Sequence, residues 1–229
     1  MKFALCVLTT SIALAVAAWP QGDTAGLDRA LSAMDTAAKS FRTAAATLTS
    51  EQYTKVVDEK ETQKGKVYFQ RHGNEVYMAA DISEPDKQYA IYANGKAQIY
   101  NPKIDQVNEY KPGKSRSQVE AFLLLGFGGS GHDLLSSYDV KYLESENVMG
   151  VTAAKLELVP KSKELQNNIS RILLWIDPAS GVSVQQQLFF PGGDYRLAKY
   201  SDIQIDQKLP DSAFKLKTTG KTRFVSPQG

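Results

Sequence analysis

Cysteine is nearly missing from this chain: Cys6 is the only one, and it lies inside an apolar stretch at the N-terminus. Beyond that stretch a disulfide, a cysteine-based metal site and a catalytic thiol are all excluded. Histidine is almost as scarce. With only His72 and His132, a histidine zinc site would need both plus carboxylates from distant positions. Charge of one sign is not in excess either. There are 27 basic and 25 acidic residues and no basic patch, so nucleic acid is not an expected partner. The molecule must be held together by its core alone.

What is present begins with an address. Lys2 supplies a minimal positive region, and Phe3 to Ala18 is apolar apart from Thr9, Thr10 and Ser11. Ala15-Val16-Ala17 and Val16-Ala17-Ala18 both fit the small-x-small rule for signal peptidase, placing cleavage before Ala18 or Trp19. The stretch is shorter than the ~20 residues of a spanning helix. Cys6 comes too early to be a lipid-attachment cysteine. Residues 1–18 are therefore expected to be a cleaved signal peptide of an exported, soluble protein. Residues 19–229 show no linker and no composition break, which predicts one domain.

Several stretches resemble active sites and fail. Gly220-Lys221-Thr222 looks like the end of a phosphate loop, but Lys215 stands where that motif needs its first glycine. Gly128-Gly129-Ser130-Gly131-His132 resembles a nucleophile elbow, yet His132 takes the place of its second glycine and no strand precedes the serine. Asp105, Glu109, Asp202 and Asp206 have no spacing that singles out an acid and base pair. No catalytic set, no metal site and no cofactor is expected. The residues read as a binding protein and not as an enzyme.

The pattern of the remainder is strands. Leu27, Ala30, Leu31, Met34, Ala38 and Phe41 form one stripe of an amphipathic helix. Thr43 to Val57 reads as a long strand, and Val67, Phe69 and Arg71 share one face of the next. Val76, Met78, Ala80 and Ile82 continue that apolar face after a turn at Gly73-Asn74. From Gln88 to Tyr110 a meander folds about Asn94-Gly95, a dipeptide suited to a two-residue hairpin. Ser115 to Phe127 carries Val119, Phe122 and Leu123 at helical spacing and ends in Gly126, Gly128, Gly129 and Gly131. Five further strands follow, from Tyr138 to Ile205. Repeated short strands with glycine, proline and asparagine between them predict an antiparallel sheet curling toward a barrel.

Two readings compete for the apolar faces. The helices from Leu27 and from Val119 either complete a dry core or act as lids on a cavity that accepts lipid. An acyl chain costs ~0.8 kcal/mol per CH₂ in water, so a soluble carrier must enclose it. Glycine loops of the kind that follows Val119 absorb large backbone changes.

The order of parts resembles a family, the outer-membrane lipoprotein carriers or LolA-like periplasmic proteins. The pieces are a signal peptide, a helix leading into FRTAAATLTSEQY, then GKVYFQR, IYANGKAQIYNPKIDQVNEY, SRSQVEAFLLLGFGG, ILLWIDPASGVSVQQQLFF and YSDIQIDQKLPDSAFKLK. The resemblance implies a mainly β fold, an incomplete antiparallel half-barrel wrapped over two or three helices with an apolar cavity. Its expected lining is Leu31, Met34, Val67, Phe69, Val76, Met78, Tyr89, Ile91, Ile99, Phe122 and Leu123. The family's strand arginine, which contacts the lid, falls on Arg71; His72-Gly73 follow it where relatives often have proline. The implied function is to move acylated lipoproteins through the periplasm, as a monomer. The implied partners are an inner-membrane ABC transporter complex and an outer-membrane acceptor. A carrier or sensor of another lipid and a structural envelope protein remain alternatives. The tail KTTGKTRFVSPQG is basic and irregular, without an assigned role.

Overall fold

The computed structural model describes residues 23–73, 75–113 and 116–226. The segment read as a signal peptide lies outside the described residues. Among those described, no helix is long and apolar enough to cross a membrane.

The predicted first helix is α1, Thr24–Ser40. The Asp23 carboxylate caps it by accepting from the Gly26 N–H at 2.8 Å. Its stripe buries Ala30, Leu31 and Met34. The chain then enters six consecutive strands: β1 (Thr43–Thr54), β2 (Glu59–His72), β3 (Glu75–Glu84), β4 (Gln88–Ala93), β5 (Lys96–Asn101) and β6 (Gln106–Tyr110). Asn94 and Gly95 both have positive φ, 54° and 69°, as the β4–β5 hairpin turn requires.

After two short helices, α2 (Arg116–Leu123) and α3 (Leu134–Ser137), the strands return as β7 (Tyr138–Val148) and β8 (Val151–Pro160). A single turn of helix, α4 (Lys163–Gln166), lies in the loop after β8, and β9 (Arg171–Ile176), β10 (Ser183–Phe189) and β11 (Tyr195–Ile205) follow. The last strand, β12 (Arg223–Val225), lies in the tail that had no assigned role.

One sheet takes in all twelve strands, in the order β12-β6-β5-β4-β3-β2-β1-β11-β10-β9-β8-β7. The two meanders meet where β1 pairs with β11, from Ala44 opposite Ile205 to Tyr53 opposite Tyr195. Register shifts at Ala45/Thr47, Lys64/Gly65, Tyr142/Glu144 and Ser183/Gln185 mark places where such a sheet bends. It curves without closing, since β12 and β7 are its two ends. α1 and the helices of the β6–β7 and β8–β9 connections cover one face, where Leu31, Phe122, Leu134 and Leu165 join a single apolar cluster.

Directly opposed residues in antiparallel strands share a face. Ala44, Phe69, Met78 and Tyr92 are opposed in series, so they point the same way, toward the helices. At the other end α1 packs on Leu156, Leu158, Ile172 and Leu174, all fully buried. Leu31 and Met34 belong to that cluster, at 2% and 1% exposure.

Register corrects one expectation. Tyr89 and Ile91 alternate with Tyr92, so they project from the opposite face of the sheet. There they meet Pro210, Ala213 and Lys217 of the C-terminal segment around a gap of about 70 Å³. The Lys217 ammonium lies 5.6 Å from the Tyr89 ring centre, and Phe214 packs on Tyr77. The Thr219 and Thr222 hydroxyls each donate to the Asp105 carboxylate at 2.6 Å, and β12 runs parallel to β6 with Phe224 beside Val107. The tail thus covers the outer face, and Tyr89 and Ile91 belong to that packing. Ile99, opposite Ala90, stays on the helix side, half-buried.

Candidate functional site

The helix-side wall of β1, β2 and β11 is apolar: Ala44, Ala46, Leu48, Val67, Phe69, Ala198 and Tyr200 are buried there with Phe41, Ile82 and Val182. What buries them is Phe127, in the turn that follows α2. Its side chain is fully buried. The ring stacks on Phe69, with centres 4.4 Å apart and planes 8° from parallel. It meets Tyr200 edge-on at 4.9 Å and 82°. Gly128 has φ +80°, and a side chain there would overlap the Phe41 ring, so the turn closes this tightly only with glycine.

Carbonyls on both sides of Phe127 are held by the wall. The Gln186 amide donates to Leu125 O at 2.5 Å, the Ser183 N–H donates to Gly126 O at 2.7 Å, and Arg71 Nη2 donates to Gly128 O at 2.6 Å. The glycine run read as a flexible hinge is here packed and hydrogen-bonded. Arg71, at the end of β2, therefore reaches the segment that follows α2.

Polar contacts hold the start of α2 as well. Arg116 donates to Glu120 at 2.8 Å and to Glu75 on β3 at 3.0 Å, and the Tyr92 hydroxyl donates to Glu120 at 3.0 Å. Burial, with the Glu120 hydrogen bond, pushes the Tyr92 hydroxyl up to about 12, so it remains a donor at any ordinary pH. An eight-residue helix is too short to be stable alone. Its helicity depends on these contacts and on Phe122, which packs half-buried against the α1 cluster. Leu123 is likewise half-buried.

The far end of the loop is tied to α1. Asp35 accepts from the Ser130 hydroxyl at 2.6 Å and the His132 N–H at 3.1 Å, and it pairs with the His132 ring. Burial alone would raise the Asp35 carboxyl, but the hydrogen bonds from Ser130 and His132 outweigh it and hold it at about 2. A carboxyl depressed below its ordinary 3.8 stabilises the fold above that value, and the contribution is lost as pH falls through about 2. The side chain is 26% exposed. Allowing for solvent screening, Asp35→Asn is expected to lower stability at pH 7 by about 1–2 kcal/mol. It should also flatten the acid limb between about pH 4 and 2. Denaturant titrations of both proteins across that range check this, and parallel curves would refute it.

Of the residues expected to line a cavity, Val67 and Phe69 lie directly beneath Phe127, and Val76, Met78 and Ile99 continue the same face outward. Leu31 and Met34 lie in the separate cluster under α1. Tyr89 and Ile91 are on the other side of the sheet. Sequence reasoning missed Phe127 itself, Gln186 and Tyr200. Two signals pointed to them: a large aromatic between Gly126 and Gly128, and a glutamine on the apolar phase of β10.

A direct comparison with curated protein sequences finds no match. Among solved structures, MucB superposes with a TM-score of 0.54 at 14% identity, over 85% of this chain and 64% of MucB. The Pseudomonas aeruginosa MucA/MucB complex gives 0.50 and 14%, over 84% and 61%. This chain therefore spans less than two thirds of the MucB chains it matches. An uncharacterized conserved protein from Thermus thermophilus gives 0.53 and 11%, over 89% and 98%. At such identities the likeness is one of fold. The profile of the family described as outer membrane lipoprotein carrier protein LolA matches residues 40–217, most of the sheet and the whole of the α2 segment. With its open sheet, antiparallel in all but its β12 edge, and its helix-covered apolar wall, the chain belongs to the LolA family.

Proposed function

We propose that this protein is a soluble periplasmic carrier that shields the acyl chains of lipoproteins and moves them from the inner to the outer membrane. In this reading residues 1–18 are a removed signal peptide and residues 19–229 act as one domain and as a monomer. An inner-membrane ABC transporter complex supplies the cargo, and an outer-membrane acceptor takes it. The observation that carries the reading is Phe127, a side chain from a short helix-and-loop segment that fills the apolar wall. The segment is a lid and Phe127 its plug.

The magnitudes permit the exchange. Withdrawing a buried phenylalanine costs about 3–5 kcal/mol. An acyl chain gains ~0.8 kcal/mol per buried CH₂, so about four to six methylenes offset the loss. A longer chain wins the site with a surplus. Arg71 serves as one latch of the lid through Gly128 O, and Met78, Ala80, Ala90 and Ile99 continue the same face of the sheet across β3, β4 and β5.

Two measurements test this. Mass spectrometry of protein purified from its native envelope is expected to find acylated ligand, and lipid-free protein is expected to take up a fluorescent fatty-acyl probe. Protein that is both lipid-free and inert to the probe would sink the carrier. Phe122→Asp is expected to weaken probe binding severalfold, since it places a charge on the lid's inner face. A loss of fold without a specific loss of binding would make Phe122 a core residue only.

A further inference from the structure

Four consecutive lid residues meet the wall, and three of them do so through main-chain carbonyls. Leu125, Gly126 and Gly128 accept from Gln186 Nε2, Ser183 N–H and Arg71 Nη2, respectively, while Phe127 between them fills the apolar space. Gln186 stands on the helix-side face of β10, opposite Leu174 on one side and Ala198 on the other. The Tyr200 hydroxyl donates to its Oε1 at 3.2 Å, which turns its NH₂ toward the lid. Tyr200 is itself buried, and that burial raises its hydroxyl far above the usual tyrosine value, so it stays a donor.

When the lid lifts, plug and acceptors leave together. A plain hydrocarbon chain replaces the Phe127 ring but accepts no hydrogen bond. It would leave donors in a dry wall unpaired, and an unpaired buried donor forfeits its full desolvation cost. A cargo whose chains hang from ester or amide carbonyls replaces both the ring and the acceptors. We propose that Arg71, Gln186 and the Ser183 N–H form a donor set that trades lid carbonyls for the acyl ester and amide carbonyls of the cargo. The site then selects esterified acyl groups over plain or ether-linked chains of equal length. Gln186 is a specificity-determining residue, oriented by Tyr200. This inference rests on the carrier reading and names the chemistry by which that carrier recognises its ligand.

The test uses two synthetic lipopeptides with the same peptide and chain length. One carries a dipalmitoyl glyceryl ester on its cysteine, and the other carries the hexadecyl diether. The unaltered protein is expected to bind the ester at least about tenfold more tightly. In Gln186→Leu and Gln186→Glu, neither of which retains the side-chain donor, the ester-to-ether ratio should fall toward one. Equal affinity of the unaltered protein for both lipopeptides would overturn the donor set and leave the carrier standing. If neither binds, both ideas fall together. The comparison in the unaltered protein needs no variant, so a poorly folding Gln186 variant does not decide the matter.

Discussion

Phe127→Ala is expected to destabilise the ligand-free protein by about 3–5 kcal/mol while raising its affinity for an acyl probe. The first effect follows from a fully buried ring lost between Phe69 and Tyr200, leaving a cavity in a wall of Leu48, Val67 and Ile82. In a protein of this length the melting midpoint should drop by roughly 10 °C. The second effect follows from competition. A plug that must leave before cargo enters lowers the apparent affinity by the fraction of molecules in which it is seated. Removing it lifts that penalty. Saturating probe should then restore part of the lost melting temperature, because ligand bound only to the folded state adds its binding free energy. Thermal melts with and without probe check both halves. A fall in stability with no gain in affinity would make Phe127 ordinary core.

Arg71→Leu is expected to free the lid more than it weakens the fold. The guanidinium donates to Gly128 O in a half-buried setting, and a charged hydrogen bond of this kind contributes about 1.5–3 kcal/mol. Leucine would leave that carbonyl without its partner. Hydrogen exchange over residues 124–131 should quicken by about tenfold or more, while α1 and β9 keep their protection. Probe uptake should quicken in parallel, since opening precedes entry. Unchanged exchange in the lid would reduce Arg71 to a strand-end arginine with no hold on the loop.

Much of the framework was legible because it depends on neighbours in sequence. The stripe Leu27 to Phe41 predicted α1 within a few residues, and the alternation around Val67-Phe69-Arg71 placed those three on one face, as the register shows. Asn94-Gly95 announced its hairpin for a steric reason that needs no tertiary contact. The tail was not legible. Its residues pair with β6 and cover Tyr89 and Ile91 from more than a hundred positions away.

The error at Tyr89 and Ile91 has the same origin. Alternation says which side chains share a face, but both faces of β4 are apolar enough to be buried. One is covered by α2 and the other by the C-terminal segment. Nothing within β4 distinguishes them. Likewise, three glycines within four residues predict a loop that can move, and only packing shows that Phe127 holds it down.

By itself, then, the sequence determined a mainly β chain with one long amphipathic helix and a hairpin at Asn94-Gly95. Those follow from composition, period and turn sterics, all of which are local. The tertiary structure alone decided which face of the sheet the helices cover, and that Phe127, Gln186 and Ser183 join Arg71 in fixing the segment after α2. Each of those outcomes rests on pairing between segments far apart in the chain. β1 meets β11 only after the twelve helices and strands between them have been laid down, and the free energy that selects such a contact is burial summed over both partners.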